Sequence, residues 1–141
     1  MAKANIYLNF NGNTEEVFNF YKSVFGGEFH MVQRFKDIPG GDKMPADDQN
    51  KIMHVSYSIG GTMLMGTDAL EAMKQKVDFG DNIAISIECE SEAEVDKLYN
   101  GLSVGGKITM PLEKTFWGAY FGMFTDKFGI QWMFNYDYPR N

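Results

Sequence analysis

Two stretches of the chain carry the same order of hydrophobic and polar positions. The first, Ile6 to Gly27, opens with apolar residues at every second place, Ile6, Leu8 and Phe10; the second, Ile83 to Gly106, opens likewise with Ile83, Ile85 and Ile87. A period of two predicts a strand with one face against a core. A helix-start pattern follows in each, Asn13-x-x-Glu16 and Ser91-x-x-Glu94, in which the cap oxygen accepts a backbone N–H and the glutamate reaches back. The next apolar residues, Val17/Phe20/Tyr21/Val24 and Val95/Leu98/Tyr99/Leu102, recur at i, i+3, i+4 and i+7, the stripe of a helix that packs one face on a sheet. Both helices run into a glycine pair, Gly26-Gly27 and Gly105-Gly106, where a left-handed residue can close the last turn. Shared cap, stripe and double glycine predict a duplicated unit.

Three more strands are predicted after each helix. In the first half these are Glu28 to Phe35, Ile52 to Ile59 and Thr62 to Gly66, the last two joined through Gly60-Gly61. The stretch Lys36 to Lys51, with Pro39, Gly40, Gly41, Pro45 and four aspartates, reads as a loop. In the second half the strands are Lys107 to Pro111, Trp117 to Thr125 and Ile130 to Tyr136, with Asp126-Lys127-Phe128-Gly129 as the turn between the last two. The expected fold class is α+β: two βαβββ repeats, about 3–66 and 82–136, in a single domain over 1–141, with 67–81 as connector and a short helix around Ala69 to Lys76.

This order resembles the vicinal oxygen chelate superfamily, and within it the PhnB-like, glyoxalase-like branch. The resemblance runs from YLNFNGNTEEVFNFYKSVFGG through IMHVSYSIGGTMLMGTD to GLSVGGKITMPLEKTFWGAYFGMFTDKFGIQWMF. It implies curved mixed sheets around a concave ligand cavity, helices on the outer faces, and a homodimer. It does not fix the chemistry, because one fold hosts many reactions.

Strand parity then assigns faces. With Ile6, Leu8 and Phe10 toward the helix, Asn5, Tyr7 and Asn9 face the cavity; with Ile83, Ile85 and Ile87 toward the helix, Asn82, Ala84 and Ser86 face it. In the last strand Gln131, Met133 and Asn135 oppose Ile130, Trp132 and Phe134. His54, Ser56 and Ser58 oppose Met53, Val55, Tyr57 and Ile59, so His54 points inward, where it can donate to or accept from a ligand. His30 has no partner pattern and reads as structural or surface. Trp117 and Tyr120, in the stretch TFWGAYFGMF, are candidates for stacking on a flat ligand, with Tyr120 facing the cavity only if Gly122 lies opposite Met133. Met63 and Met65 offer an adaptable wall.

Metal-dependent members of the superfamily carry ligands on the first and a late strand of each half. The resemblance puts those positions at Asn5, Met65, Asn82 and Met133, none of which suits Zn²⁺, Fe²⁺ or Ni²⁺. No metal centre and no cofactor are expected. Asp37, Asp42, Asp47 and Asp48 read as solvated loop acids without EF-hand spacing. The hydrolase elbow and the nucleotide-binding glycine loops are missing.

Composition narrows the partners. Among 141 residues, 44% are hydrophobic and 15% aromatic, a folded chain with one core; 13 Lys+Arg against 19 Asp+Glu give a net charge of −6 without a basic cluster, which disfavours nucleic acid. No apolar run is long enough to span a membrane, and a cytoplasmic location is expected. Cys89, between Glu88 and Glu90, reads as structural and unreactive.

Three functions stay open. The first is a binding protein for an unidentified small molecule, using Asn5, Tyr7, Asn9, His54, Met65, Asn82, Trp117, Tyr120 and Met133. The second is a lyase, isomerase or dioxygenase on a small oxygenated substrate, with a nonstandard metal or with His54 as base. The third is an interaction module whose cavity has no ligand.

Overall fold

The computed structural model describes residues 1–140, and the chain divides into two compact units, one over Met1–Asp78 and one from Phe79 onward. The first holds β1 (Ile6–Phe10), α1 (Thr14–Phe25), β2 (Phe29–Arg34), a one-turn α2 (Ala46–Gln49), β3 (Ile52–Ile59) and β4 (Thr62–Asp68). The second holds β5 (Ile85–Glu88), α3 (Glu92–Leu102), β6 (Lys107–Lys114), β7 (Ala119–Thr125) and β8 (Gln131–Asp137). Strand order is β1-β4-β3-β2 in one sheet and β5-β8-β7-β6 in the other. In both, the first strand pairs parallel with the last and the remaining pairs are antiparallel. The duplication read from the sequence is therefore a duplication of topology, and the fold is α+β with mixed sheets.

Each helix covers one face of its own sheet. At Gly66 on β4 a methyl group would stand 2.5 Å from Cε1 of Phe18 and 3.2 Å from Cγ2 of Thr14. At Gly122 on β7 it would stand 2.7 Å from Cε2 of Tyr99 and 2.8 Å from Cδ2 of Leu112. These glycines are where the backbone of the sheet meets the rings of the helix. Around them the cores are fully buried: Phe10, Val17, Phe18, Tyr21 and Leu64 in the first unit, Val95, Leu102, Phe124, Trp132 and Phe134 in the second. In β8, Trp132 and Phe134 are buried while Gln131, Met133 and Asn135 are not, as parity predicts.

The two helix starts differ. Ser91 Oγ accepts from Glu94 N at 3.1 Å, the cap expected of α3, while Glu94 Oε1 reaches back one residue past the cap and accepts from Glu90 N at 2.9 Å. Asn13 makes no side-chain cap. Its place is taken from a distance by Asp68 at the end of β4, whose Oδ1 accepts from Thr14 N at 2.9 Å and from Thr14 Oγ1 at 2.6 Å, while Oδ2 accepts from Ile52 N at 2.8 Å. A carboxylate at a helix N-terminus also opposes the helix dipole favourably.

Several boundaries depart from expectation. Strand β5 begins at Ile85, so Asn82 lies in the preceding bend, exposed, and Ile83 is 77% exposed instead of sheltered by the helix. Strand β4 runs on through Asp68, and the helix expected over 69–76 is a single 3-10 turn, Glu71–Met73. The remainder of the connector folds onto the first unit, where Asn11 Nδ2 donates to Val77 O at 3.0 Å and Val77 N donates to Asn11 Oδ1 at 2.8 Å.

Candidate functional site

On the first sheet the face away from α1 is reached through register. Tyr7, Met65, Ser56 and Met31 stand in one cross-strand row over β1-β4-β3-β2, and Asn9 stands opposite Thr67. Because β-strand side chains alternate, and Gly66 and Leu64 turn toward α1, these residues turn away from it. His54 shares the face: its Nδ1 lies 3.2 Å from Tyr7 Oη, with ring centroids 5.7 Å apart. His30 joins them as well. A register shift between Phe29 and Met31 places the His30 ring against β3, where Nε2 meets Ser58 Oγ at 2.9 Å. His30 is exposed and hydrogen-bonded to a neighbouring strand, in keeping with its reading as a structural or surface residue.

The open face of the first sheet is deepened by the connector. A cavity of about 790 Å³ lies between Tyr7, Asn9, Met53 and Thr67 on the sheet and residues 73–78 above it, with Phe35 and Ala69 completing the wall. Of the site residues expected from sequence, Tyr7 and Asn9 line it. His54 adjoins it through Tyr7, and Met65 is Tyr7's neighbour on β4. Asn5 precedes β1 and accepts from Met63 N at 3.2 Å, continuing the β1–β4 pairing rather than presenting a free amide. Thr67, Met53 and the connector were missed. Thr67 could have been found, since it stands across from Asn9; the roof could not, since nothing local says where a connector lies.

The second sheet repeats the row with other side chains: Ser86, Met133, Met123 and Met110 over β5-β8-β7-β6. Met65 and Met133 thus hold equivalent places. Tyr120 does not stand with Met133. Gly122 pairs with Phe134 rather than Met133, so Tyr120 follows Gly122 toward α3, where its hydroxyl donates to Asp96 Oδ1 at 2.6 Å. That hydrogen bond, with burial and the Asp96 charge, pushes its pKa up to about 12. Trp117 lies in the β6–β7 turn, half exposed, edge-on to Phe121 at 6.2 Å.

The superfamily's metal centre can be tested against these residues. On the first strand and its parallel neighbour, the first sheet offers Tyr7 and Met65 and the second Ser86 and Met133; the flanking amides are those of Asn5 and Asn82. Phenol, hydroxyl, amide and thioether are poor donors for borderline divalent ions, which take imidazole, carboxylate or thiolate. Among the described residues no three His, Cys, Asp or Glu side chains gather where they could hold an ion. The donor set does not fit that centre.

Cys89 is buried, and its thiol is pushed up to about 12, first by burial, then by the Glu94 and Glu88 carboxylates. At pH 8 the thiolate fraction is then on the order of one in ten thousand. We expect the native protein to give no colour with an aromatic disulfide reagent at pH 8 and about one thiol per chain in denaturant, a count fixed by the single cysteine. Prompt reaction of the native protein would contradict this burial.

The chain was compared with known proteins. Residues 2–134 match the family model described as 3-demethylubiquinone-9 3-methyltransferase. Protein PA1353 from Pseudomonas aeruginosa is 39% identical, with 97% of this chain and 98% of that chain covered and a TM-score of 0.84. The PhnB protein from Bacillus cereus is 26% identical over 96% of this chain and 99% of that chain, with a TM-score of 0.77. A glyoxalase/bleomycin resistance protein/dioxygenase family enzyme from Burkholderia phytofirmans PsJN, 15% identical over 96% of this chain and 100% of that chain at a TM-score of 0.61, shares the fold. With the βαβββ topology occurring twice, these matches make the chain a PhnB-like member of the 3-demethylubiquinone-9 3-methyltransferase family, with a fold of the glyoxalase/bleomycin resistance protein/dioxygenase type.

Proposed function

We propose that this protein binds a small molecule on the open face of its first sheet, under the connector, without the metal centre usual in its superfamily. The cavity carries this reading. At about 790 Å³ it lies in the range of roughly 300–1,000 Å³ that ligand sites occupy, and it pairs apolar walls with a few fixed polar groups. The homodimer that the resemblance implies belongs to the same proposal.

Asn9 is exposed on the cavity floor, so Asn9→Trp fills the space without opening the core. We expect a compound panel to contain ligands that raise the melting temperature of the wild type by mass action and leave Asn9→Trp unmoved. A panel that shifts both proteins alike would remove the cavity from the proposal. Elemental analysis finding about one tightly held transition-metal ion per chain would remove the metal-free part, and a monomeric native mass would remove the dimer.

A second reading, in which the same face does acid–base chemistry, is favoured by the Tyr7–His54 pair. With Nδ1–H donating to Tyr7 Oη, Nε2 of His54 is left bare as a base; in the other tautomer Tyr7 donates and Nε2–H becomes a hydrogen-bond donor to a ligand. Turnover of an α-oxoaldehyde or catechol substrate that disappears in His54→Gln would favour catalysis, and its absence leaves binding. The family's description names a methyltransferase, and from it we carry over the fold alone. The β1-to-α1 turn is only Asn11 to Asn13, with the Asn11 amide bound on both sides to Val77 and the first helical amide bound to Asp68.

A further inference from the structure

Lys74 lines the cavity in a conformation that costs it free energy. Its φ of 57° lies in the left-handed region, and it is the sole non-glycine residue there among the described residues. An L side chain in that region costs about 1–2 kcal/mol, and glycine would occupy it freely. The backbone need is real, since Lys74 N closes the 3-10 turn on Glu71 O at 2.8 Å and Gln75 N returns to Leu70 O at 3.0 Å. Yet the residue is lysine.

The other charged residues that line the cavity, Asp68, Lys76 and Asp78, have partners. Lys76 Nζ lies 3.6 Å from Asp78 Oδ1. Asp68, also in the cavity wall, is buried with its oxygens taken by Thr14 and Ile52. Among the described residues the Lys74 ammonium has no ion-pair partner. The same cavity is lined by Tyr7, Asn9 and Thr67, which carry neutral polar groups, and by Met53 and Met73. A cation with no ion-pair partner at the edge of a half-apolar cavity suits a molecule with an apolar body and one anionic group.

We propose that the ligand of this cavity is a small amphipathic acid, a carboxylate, sulfonate or phosphate ester on an apolar frame, whose anion pairs with Lys74; this rests on the cavity being the binding site. The protein's net charge of −6 repels anions at long range, so the attraction is local and weakens with salt.

Two fluorescent dyes separate the inference from the reading beneath it: the anionic 8-anilinonaphthalene-1-sulfonate and the neutral Nile red. We expect both to bind the wild type, and the sulfonate to lose about tenfold in affinity in Lys74→Gln and in Lys74→Gly while Nile red is unchanged, a loss worth about 1.4 kcal/mol. Lys74→Gly relieves the backbone as it removes the charge, so weakened binding there cannot come from a strained fold. Lys74→Arg should retain the sulfonate. Nile red binding with equal sulfonate affinity in all four proteins would overturn the acid and keep the cavity. Failure of both dyes to bind the wild type, or Nile red binding equally to Asn9→Trp, would overturn the cavity and the acid with it.

Discussion

Asp68→Ala is expected to destabilise the first unit by about 3–5 kcal/mol, since each buried donor left without a partner costs roughly 1–3 kcal/mol. Three donors depend on this carboxylate: Thr14 N, Thr14 Oγ1 and Ile52 N, and both Thr14 and Asp68 are buried, so water cannot replace it in place. The loss reaches two elements at once, because the same side chain caps α1 and holds the start of β3. Asp68→Asn sets the scale. Its amide oxygen can still accept from Thr14, but its NH₂ would face Ile52 N–H, donor against donor, so it should fall between wild type and alanine. Both tryptophans lie in the second unit, and urea unfolding should therefore be followed by far-ultraviolet circular dichroism rather than tryptophan fluorescence. An alanine variant with a midpoint unchanged from wild type would show that α1 does not depend on this cap.

That cap also marks where sequence reading stops. Local chemistry was legible: alternation placed Tyr7 and Asn9 on the open face, helical spacing placed Val17 and Tyr21 under α1, and Ser91 and Glu94 made the cap their spacing announces. Asn13 has an equally good local pattern and does not cap, because a carboxylate 54 residues away occupies the helix end. The departure at Tyr120 is one of register: the strand is as expected but Gly122 pairs with Phe134 instead of Met133, and register is set by pairing with another strand. Asn82 and Ile83 failed differently, since alternation in the sequence extends three residues before Ile85, where pairing with β8 begins. The cavity needed a fact absent from any local window, that residues 73–78 lie over β1 and β4.

In the second unit the largest loss is expected from Trp132→Ala, about 3–5 kcal/mol for removing a buried aromatic side chain. Trp132 is fully buried, stacked at 6.4 Å on Phe134. Its indole also ties the core to a turn. Nε1 donates to Asp126 Oδ2 at 2.9 Å, while Oδ1 of the same carboxylate accepts from Phe128 N at 2.8 Å and Ile130 N at 3.0 Å. Asp126 thus does for the β7–β8 turn what Asp68 does for α1. Trp132→Phe separates the two contributions: it keeps much of the ring and removes the N–H, so it should cost about 1–3 kcal/mol by leaving a buried carboxylate oxygen one donor short. Fluorescence of the remaining Trp117, half exposed in the β6–β7 turn, reports unfolding of this unit in both variants. If Trp132→Phe proves as costly as Trp132→Ala, the hydrogen bond outweighs the packing; if it costs nothing, the turn does not depend on the indole N–H.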